Sequence, residues 1–517
     1  MHGFKDIYKN EVDRYSGTSS RWGQRAVVAT AVQMNWELAS LDISQAFLKG
    51  LTFDEIQEIR GGPKREVSMQ LPRGKPGLEP SGASVLRNLK GFEDFNDALE
   101  VLEMIKGGFG LVDAPNLFTT RVDHVLKTKL INSTISDPKM YLEHDKAKAL
   151  QLMVSAHMDD FKSTGEPANM KALQKTLADA FGNDVKMTYE TTFIHTGIRH
   201  TYHKETKEYT LDQDDYSKAL RPVTHADLLK AKDDVDLNEY FYACFLTLLG
   251  AVAWLSQTRL DVLVYISSLQ RVSKKPTTLA LKRLNRLVRY IQKHPHPLRY
   301  RRLLLPVKLC LIGDSAFRAP TGAEDGAMVM RGFLVALGHY DEKSTTWFLQ
   351  ILEYLCGRQK HVCRGVWSAE LLNLCDLWDM GLIIAGFLEE VKLGSMSAAD
   401  LRKHTTEGPL STDTQMFTDS YSIFSYLRTE HLKFPTDKGT FFHLAHLHQA
   451  CARQLLRTVT WVDTRDMVMD GMTKGKIDRK TLHELMAGRW KLEHKADHYT
   501  PTHVDNRAPD TSDRSWQ

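Results

Sequence analysis

LMVSAHMDDFKSTG, residues Leu152–Gly165, sets two adjacent carboxylates, Asp159 and Asp160, after an alternating, partly apolar run and before a short polar run that closes on Gly165. The pattern predicts a β-hairpin with both aspartates at its tip. Like charges side by side repel, and folding rarely gains from placing them at a strand end. A divalent cation would remove the repulsion and turn the pair into a site. Taken alone, an Asp-Asp pair reads as a solvated turn; the rest of the chain decides otherwise.

Upstream, apolar positions at helical spacing (Val27, Val28, Ala31, Met34) predict a helix over 21–37, followed by a strand through Leu38–Ile43 that carries Asp42. Residues 53–62 read as a loop or short helix. Val67–Leu71 reads as a short strand before the punctuation PRGKPGLEPSG. Helices are expected at 95–106 and 114–130, with Pro115 where a first-turn proline is tolerated. Downstream of the hairpin come a helix at 167–182, a strand pair near 187–212 and a helical stretch at 238–256. Residues 276–293 form the clearest amphipathic helix. Leu284, Leu287, Val288 and Ile291 share one face, and Lys282, Arg286, Arg289 and Lys293 the other. With Arg271, Lys274, Lys275, Arg299, Arg301 and Arg302, this makes 271–302 the most basic region, either an ordinary solvated face or a surface that follows a phosphate backbone.

After Pro306 the pattern changes. VKLCLIGDSA predicts a strand ending at Asp314, AMVMRGFLVAL a second and residues 346–355 a third. A long helix over 368–391, a strand TQMFTDS ending at Asp419, a helix at 443–456, a strand at 458–463 and a short helix near 467–473 complete a second α/β unit. The tail from about 498, with Pro501 and Pro509, is expected to be disordered. No internal repeat is present.

The chain has 517 residues, 42% hydrophobic, enough for a large core and several domains. Lys+Arg outnumber Asp+Glu by only 68 to 64, so net charge neither demands nor excludes a nucleic-acid partner. Six scattered cysteines form no CxxC pair, which argues against a zinc knuckle or a disulfide framework and for a reducing compartment. No apolar run of about 18 residues marks a membrane span, and the charged start MHGFKDIYKNEVDRY is no signal peptide. His443, His446 and His448 are spaced so that they do not share one helical face, and they read as surface or core histidines rather than ligands.

Two groups of acids stand out. If Asp42 and the Asp159-Asp160 hairpin belong to one sheet, three carboxylates meet at an edge. Such a cluster suits two Mg2+ ions roughly 4 Å apart, the arrangement that activates a hydroxyl and stabilises a leaving pyrophosphate. The second group is Asp314, Glu370, Asp419 and Asp470: two strand ends, the first turn of a long helix and a short helix. It suits two-metal hydrolysis of a phosphodiester. Each acid taken singly reads as a surface carboxylate.

LDISQAFLKG (Leu41–Gly50), VSMQLPRG (Val67–Gly74), FGLVDAPNLF (Phe109–Phe118), HMDD (His157–Asp160), FIHTGIRH (Phe193–His200) and LGAVAWLSQTRLDV (Leu249–Val262) resemble, in order, the reverse transcriptase motifs of copia-type LTR retrotransposon Pol polyproteins. DSAF (Asp314–Phe317), WSAELLNL (Trp367–Leu374), FTDSYSIFSYL (Phe417–Leu427) and MDGMTKG (Met469–Gly475) resemble the four acidic motifs of the retroelement ribonuclease H. Each motif is weak alone; their order is what carries weight. The resemblance covers about residues 3–490.

The resemblance implies an α/β fold in two parts. The first is a right-hand palm with incomplete fingers (1–230) and a helical thumb or connection (231–304). The second is a ribonuclease H-like domain with a mixed five-stranded sheet (305–480), followed by a tail (481–517). It implies an RNA-directed DNA polymerase with ribonuclease H activity on RNA/DNA hybrids. Asp42, Asp159 and Asp160 would hold the polymerase Mg2+ (or Mn2+), and Asp314, Glu370, Asp419 and Asp470 the nuclease metals. Phe47 would exclude a ribose 2′-hydroxyl, and Gly110, Asp113, Pro115 and Met158 would line the nucleotide and template pocket. Lys282, Arg286, Arg289 and Lys293 would lie where the hybrid passes. Partners would be an RNA template, a DNA primer, dNTPs and no membrane, with a dimer or assembly with other element proteins left open. The location would be a cytoplasmic virus-like particle, the nucleus, or both.

Several residues depart from the pattern. His157 and Met158 replace the usual Tyr and Val, Val112 a Lys, and Asp113 a Gln, where a carboxylate is expected to repel a triphosphate. Thr196 reads as an insertion, and the basic fingers strand would precede residue 3. Three alternatives stay open: a decayed copy that keeps only nuclease activity, a non-catalytic nucleic-acid-binding protein that uses the basic 271–302 surface, and a structural or interaction protein whose carboxylates are merely solvated.

Overall fold

The computed structural model describes residues 12–71, 82–182, 185–318 and 328–501. Most of PRGKPGLEPSG and the tail beyond 501 lie outside the described residues. The fold is α/β, built on two main sheets with helices packed between and around them.

The first sheet has six antiparallel strands in the order Asn132–Ser133, Met140–His144, Leu150–His157, Asp160–Gly165, Leu38–Asp42, Lys186–Thr188. Helices Ala114–Lys127 and Pro167–Phe181 bury Phe118, Val122, Leu173 and Leu177 against its core. Each such side chain contributes roughly 1.5–3 kcal/mol. Helix Arg21–Met34 covers this sheet as well. Ser20 caps its start, accepting from Gly23 N at 2.9 Å, and Asn35 in left-handed conformation (φ 57°) ends it short of the expected residue 37.

The expected strand pair near 187–212 is four short strands. Thr192–His195, Ile198–His203 and Glu208–Asp212 form a separate sheet closed by Leu298–Tyr300. The extra Thr196 has a clear place. With Gly197 it makes a two-residue hairpin turn, φ 49° and 73°, between His195 and Ile198, the left-handed pair that the strands' twist favours.

The helix expected at 95–106 does not form. Leu99, Val101 and Ile105 are 84, 56 and 65% exposed, so its apolar period has no core to meet. The segment instead pairs at its edges: Leu102–Glu103 with Ser68–Met69, and Ile105 O with Phe53 N at 2.9 Å. Residues 53–60 do form a helix, fixed by a capping box between Thr52 and Glu55.

The second main sheet has the order Arg489–Lys491, Thr346–Arg358, Met328–Asp341, Lys308–Arg318, Thr414–Thr418, Thr458–Val462, Ala496–Tyr499. Its middle five strands are the expected mixed sheet: three antiparallel, then two parallel. A strand on each edge extends it to seven. Residues 498 and 499, expected in the disordered tail, belong to the last of these, pairing with Thr460 and Val459. Strand Lys308–Arg318 runs past Asp314, because the pairing with Met328–Asp341 continues to Arg318. Helix Val366–Leu393 lies across the sheet at short range: a Cβ on Gly381 would stand 2.7 Å from Leu311. This helix and Glu239–Gln257 are long and apolar enough by length and composition to cross a membrane, although no unbroken apolar run marks them. In the first, 67% of the apolar window is buried, and core packing accounts for it.

The two halves share one hydrophobic core. Arg25, 2% exposed, donates to Leu352 O at 3.0 Å and to Gln257 O at 2.6 Å, and its guanidinium lies 4.4 Å over the Tyr354 ring. Trp22 meets Phe387 edge-on at 5.2 Å. Glu390 accepts from the backbone of Ile135 and Ser136 at 2.7 and 3.1 Å. A second tie uses LGAVAWLSQTRLDV. Asp261 is fully buried, takes two bonds from Arg259 (2.9 and 2.8 Å) and sits 3.3 Å from His483 Nε2 on helix Lys480–Met486. Burial opposes its charge, but the bonds from Arg259 and His483 outweigh that and hold its carboxyl well below the usual range.

Removing one partner of a buried ion pair strands the other and costs about 3–5 kcal/mol. Asp261→Ala is therefore expected to lower unfolding stability by about that amount in urea titrations. A loss under about 1 kcal/mol, the scale of an exposed pair, would show that this tie is not structural.

Candidate active site

Two acidic centres form on the two main sheets. At the first, strands Leu38–Asp42 and Asp160–Gly165 are antiparallel neighbours with Asp42 directly opposite Asp160. Strand Leu150–His157 leads through Met158 and Asp159, a two-residue turn, back into Asp160. Asp42, Asp159 and Asp160 are thus together, and the aspartates stand at the hairpin tip. Met158, the first residue of that turn, holds φ at 60°, a conformation that costs a side chain of its kind energy. Burial raises the Asp160 carboxyl above its usual range, and the charges of Asp159 and Asp42 push the same way. Behind it on the same strand, Lys162 is fully buried, 3.2 Å from His200 Nε2, and its amine is pushed down to about 7 by burial and by Arg25. Burial lowers the His157 imidazole below its ordinary value against the pull of Asp160 and Asp159, and its Nδ1 lies 3.4 Å from Gln24.

The residues expected around this centre are near it to different degrees. Ser16 links two of them, its Oγ 3.5 Å from Met158 Sδ and 3.4 Å from Pro115 O. Pro115 sits in the first turn of Ala114–Lys127, and Gly110, φ 91°, makes the turn before it. Phe47 lies half-buried on the short 3-10 turn Ala46–Lys49, its ring 6.0 Å from Phe109 and edge-on to it. Asp113 does not present a bare carboxylate: it is 4% exposed and paired with Arg65 Nε at 2.8 Å. The expected repulsion of a triphosphate is answered by a cation that the sequence reading missed.

At the second centre, one carboxylate oxygen each from Asp314, Glu370 and Asp419 lies within 4.8 Å of the others. Asp314 comes from mid-strand rather than a strand end, Asp419 follows Thr414–Thr418, and Glu370 is the fifth residue of Val366–Leu393, because the helix starts two residues before the expected 368. Asn373 fastens the helix here, donating to Asp314 O and Gly332 O at 3.0 and 3.1 Å. Asp470 opens the short helix Asp470–Thr473, and from the same helix Thr473 Oγ1 donates to Asp314. Burial pushes Asp314 up to about 7, with Asp470 adding to it. Burial likewise drives Glu370 far above its usual range, with Asp314 and Asp419 next, and raises Asp419.

Lys474 is the side chain that the sequence reading overlooked. It pairs with Asp470 one turn back, and although burial works against its charge, Asp314, Asp470 and Asp419 together raise it. The i, i+4 spacing in MDGMTKG was the available signal. The donor set fits a hard divalent cation. It is all carboxylate oxygen, and Glu370 Oε2 is buried without a hydrogen-bond partner.

The basic helix Thr278–Lys293 divides. Lys282 is committed to Asp233 at 2.9 Å and Ala231 O at 3.0 Å, whereas Arg286, Arg289 and Lys293 are exposed. Of the three histidines, His448 lies 2.8 Å from Thr429 O, His446 3.4 Å from Asp379, and His443 faces His361 at 6.5 Å.

Among known proteins, the chain is similar to two from Arabidopsis thaliana. The retrovirus-related Pol polyprotein from transposon RE1 is 21% identical over 368 residues, covering 68% of this chain and 22% of that protein. That from transposon RE2 is 22% identical over 362 residues, with the same coverage of 68% and 22%. The likeness to retrotransposon Pol polyproteins expected from the motifs is borne out, and the match spans about a fifth of those relatives' length. No family model matches. Among solved structures, a foamy viral protease–reverse transcriptase in complex with an RNA/DNA hybrid aligns with a TM-score of 0.39 at 10% identity, over 84% of this chain and 45% of that one. The native prototype foamy virus protease–reverse transcriptase aligns at 0.20 and 10%, over 94% and 71%.

The raised carboxyls make stability depend on pH. An ordinary carboxyl titrates near 4, while Asp314 keeps its proton up to about 7. Between those values the folded state binds more protons than the unfolded, so stability falls as pH rises across the window. The Tm of metal-free protein is expected to drop between pH 5 and 7.5, to recover at pH 7.5 with added Mg2+ or Mn2+, and to lose both effects in Asp314→Asn. A flat metal-free profile would contradict a buried, mutually repelling cluster.

Proposed function

We propose that the chain is an RNA-directed DNA polymerase that also cleaves the RNA of RNA/DNA hybrids, using divalent cations at two carboxylate centres. The observation that carries this reading is the convergence of Asp314, Glu370 and Asp419 within 4.8 Å, from the sheet and helix that the motif order assigns them. Asp42 facing Asp160 supports the polymerase half.

At the nuclease centre, Asp314, Glu370, Asp419 and Asp470 would hold Mg2+ or Mn2+, which when bound supplies Lewis acidity for activating water and stabilising a leaving oxygen. Thr473 orients Asp314 by its hydrogen bond, and Glu370, fixed through Ser315 N at 3.2 Å, is held with its other oxygen free to bind. Lys474 moderates the repulsion among the acids. At the polymerase centre, Asp42, Asp159 and Asp160 would hold the metals and triphosphate. Met158 and Pro115 would border the primer terminus and template, Gly110 would let the backbone approach, and the Arg65–Asp113 pair would flank the nucleotide. RNA template, DNA primer, hybrid and dNTPs are the partners under this reading, with assembly alongside other element products in a particle or the nucleus.

A nuclease-only reading has one observation in its favour. Among the described residues, Asp314, Glu370 and Asp419 alone form a group of three or more potential ligands whose atoms lie within 4.8 Å of one another.

The two halves separate by assay. Loss of a ligand's supporting partner costs roughly 10–100-fold, so loss of a ligand should cost at least about 100-fold. Asp159→Asn is expected to abolish dNTP incorporation on primed RNA while sparing hybrid cleavage, and Asp419→Asn to do the reverse. Cleavage without incorporation in the unmodified chain would select the nuclease-only reading, and neither activity in a folded chain would overturn both. Phe47→Ala is expected to weaken rejection of ribonucleotides by on the order of 100-fold, the most a wall that merely excludes a hydroxyl provides. An unchanged rNTP/dNTP ratio would return Phe47 to the core.

A further inference from the structure

Four acids mark the centre on the seven-stranded sheet, yet they are not equivalent. Asp314, Glu370 and Asp419 form a group with one oxygen each within 4.8 Å of the others, and Asp470 is not part of it. Asp470 is engaged instead by the ammonium of Lys474, one helical turn along. An ordinary i, i+4 surface pair would end there. Lys474 reaches further. Burial works against its charge, and the field of Asp314 is the largest single effect restoring it, followed by the bond with Asp470 and the field of Asp419. In the other direction, burial raises Asp314, Glu370 and Asp419, and Lys474 pulls all three back down. One cation therefore acts on all four acids.

The place of this cation is fixed by contacts outside the acids. Lys474 N donates to Asp470 O at 2.8 Å, and Lys474 O accepts from Arg479 at 2.8 Å. Arg479 is 6% exposed, donates also to Gly471 O, and lies 5.0 Å over the Tyr265 ring. Tyr265 OH donates to Gly475 O at 2.8 Å, so the backbone is held on both sides of Lys474. The half-buried side chain thus projects from a fixed point. Thr473, one residue earlier, donates to Asp314. A single short turn supplies the cluster with an acid, a hydroxyl and an ammonium.

A second divalent ion at this centre would need Asp470 as a ligand, shared with an acid of the first group. The ammonium already holds that carboxylate and lies in the field of Asp314 and Asp419. A hard cation and an ammonium compete for the same oxygen lone pairs, and at short range they repel each other. We propose that Lys474 takes the place of a second divalent ion. The centre then binds one ion, on Asp314, Glu370 and Asp419, and Asp470 holds the lysine rather than a metal. The inference rests on the nuclease reading for what the bound ion does, and it departs from the paired-ion arrangement that the acid motifs suggest.

The test counts ions as well as turnover. The full chain carrying D159N and D160N, which removes two acids of the other centre, is stripped with EDTA, dialysed and titrated with Mn2+, and bound ions are read by electron paramagnetic resonance. This chain is expected to hold one ion with an isolated-ion spectrum. K474Q in the same background is expected to hold two, with the spectral coupling of ions roughly 4 Å apart, and K474R one. Cleavage of a labelled RNA/DNA hybrid is then followed against Mg2+ concentration. The order in Mg2+ is expected near one with Lys474 present and in K474R. In K474Q it should rise towards two, with a loss of roughly 10–100-fold at low Mg2+, the scale for losing a ligand's supporting partner, that is restored as Mg2+ increases. Two coupled ions or an order near two with Lys474 present would overturn the inference, as would two ions in K474R or fewer than two in K474Q. Cleavage in those cases leaves the nuclease reading standing. The expected ion counts without cleavage in any chain would sink the nuclease reading and keep Lys474 as the second positive charge.

Discussion

Arg25 is the hinge of the architecture in a physical sense. A guanidinium cannot be buried unless its donors find acceptors, and those of Arg25 find them on Leu352 and Gln257, in the seven-stranded sheet and at the end of helix Glu239–Gln257. The helix that carries it covers the six-stranded sheet on one side and meets strand Thr346–Arg358 on the other. If the halves separated, they would strand this charge and expose the apolar surface around Trp22 and Phe387. The two acidic centres are therefore parts of one packed body, with one core running between them.

Each centre handles charge repulsion differently. At the hairpin tip the acids are partly exposed, and Lys162, two residues along the strand from Asp160, has its amine pushed down to about 7 by burial. At the centre on the seven-stranded sheet the acids are deeper, and Lys474 stands among them as an internal cation. Burial strengthens every electrostatic term, so the deeper cluster carries the larger perturbations and the stronger call for a hard cation. The departures from the motif pattern fit the same logic. Asp113 is neutralised by Arg65 rather than left facing solvent, and Thr196 lengthens a turn without disturbing the strands beside it.

Much of this was legible in the residues. Motif order, the Asp159-Asp160 hairpin, the long helix and the alternating strands of the second sheet follow from periodicity and turn chemistry, which act over a few residues. The failures are also physical. A helical period at 95–106 promised a helix, but a period folds only where a core receives it, and Leu99 and Ile105 face solvent. Asp314 sits mid-strand because its partner strand continues to Met328, which no local pattern around Asp314 announces. The edge strand at Ala496–Tyr499 forms because Thr458–Val462 offers it an unpaired ladder.

By itself the sequence determined which residue types were available, their order, and which local elements could bear them, because propensity and patterning are properties of neighbouring residues. Only the tertiary structure decided that Asp42 would face Asp160, that Arg65 would meet Asp113, and that Lys474 would stand among three carboxylates. Those outcomes join residues far apart along the chain. Coulomb and packing energies depend on distance in space, and the chain sets that distance only when it closes around its core.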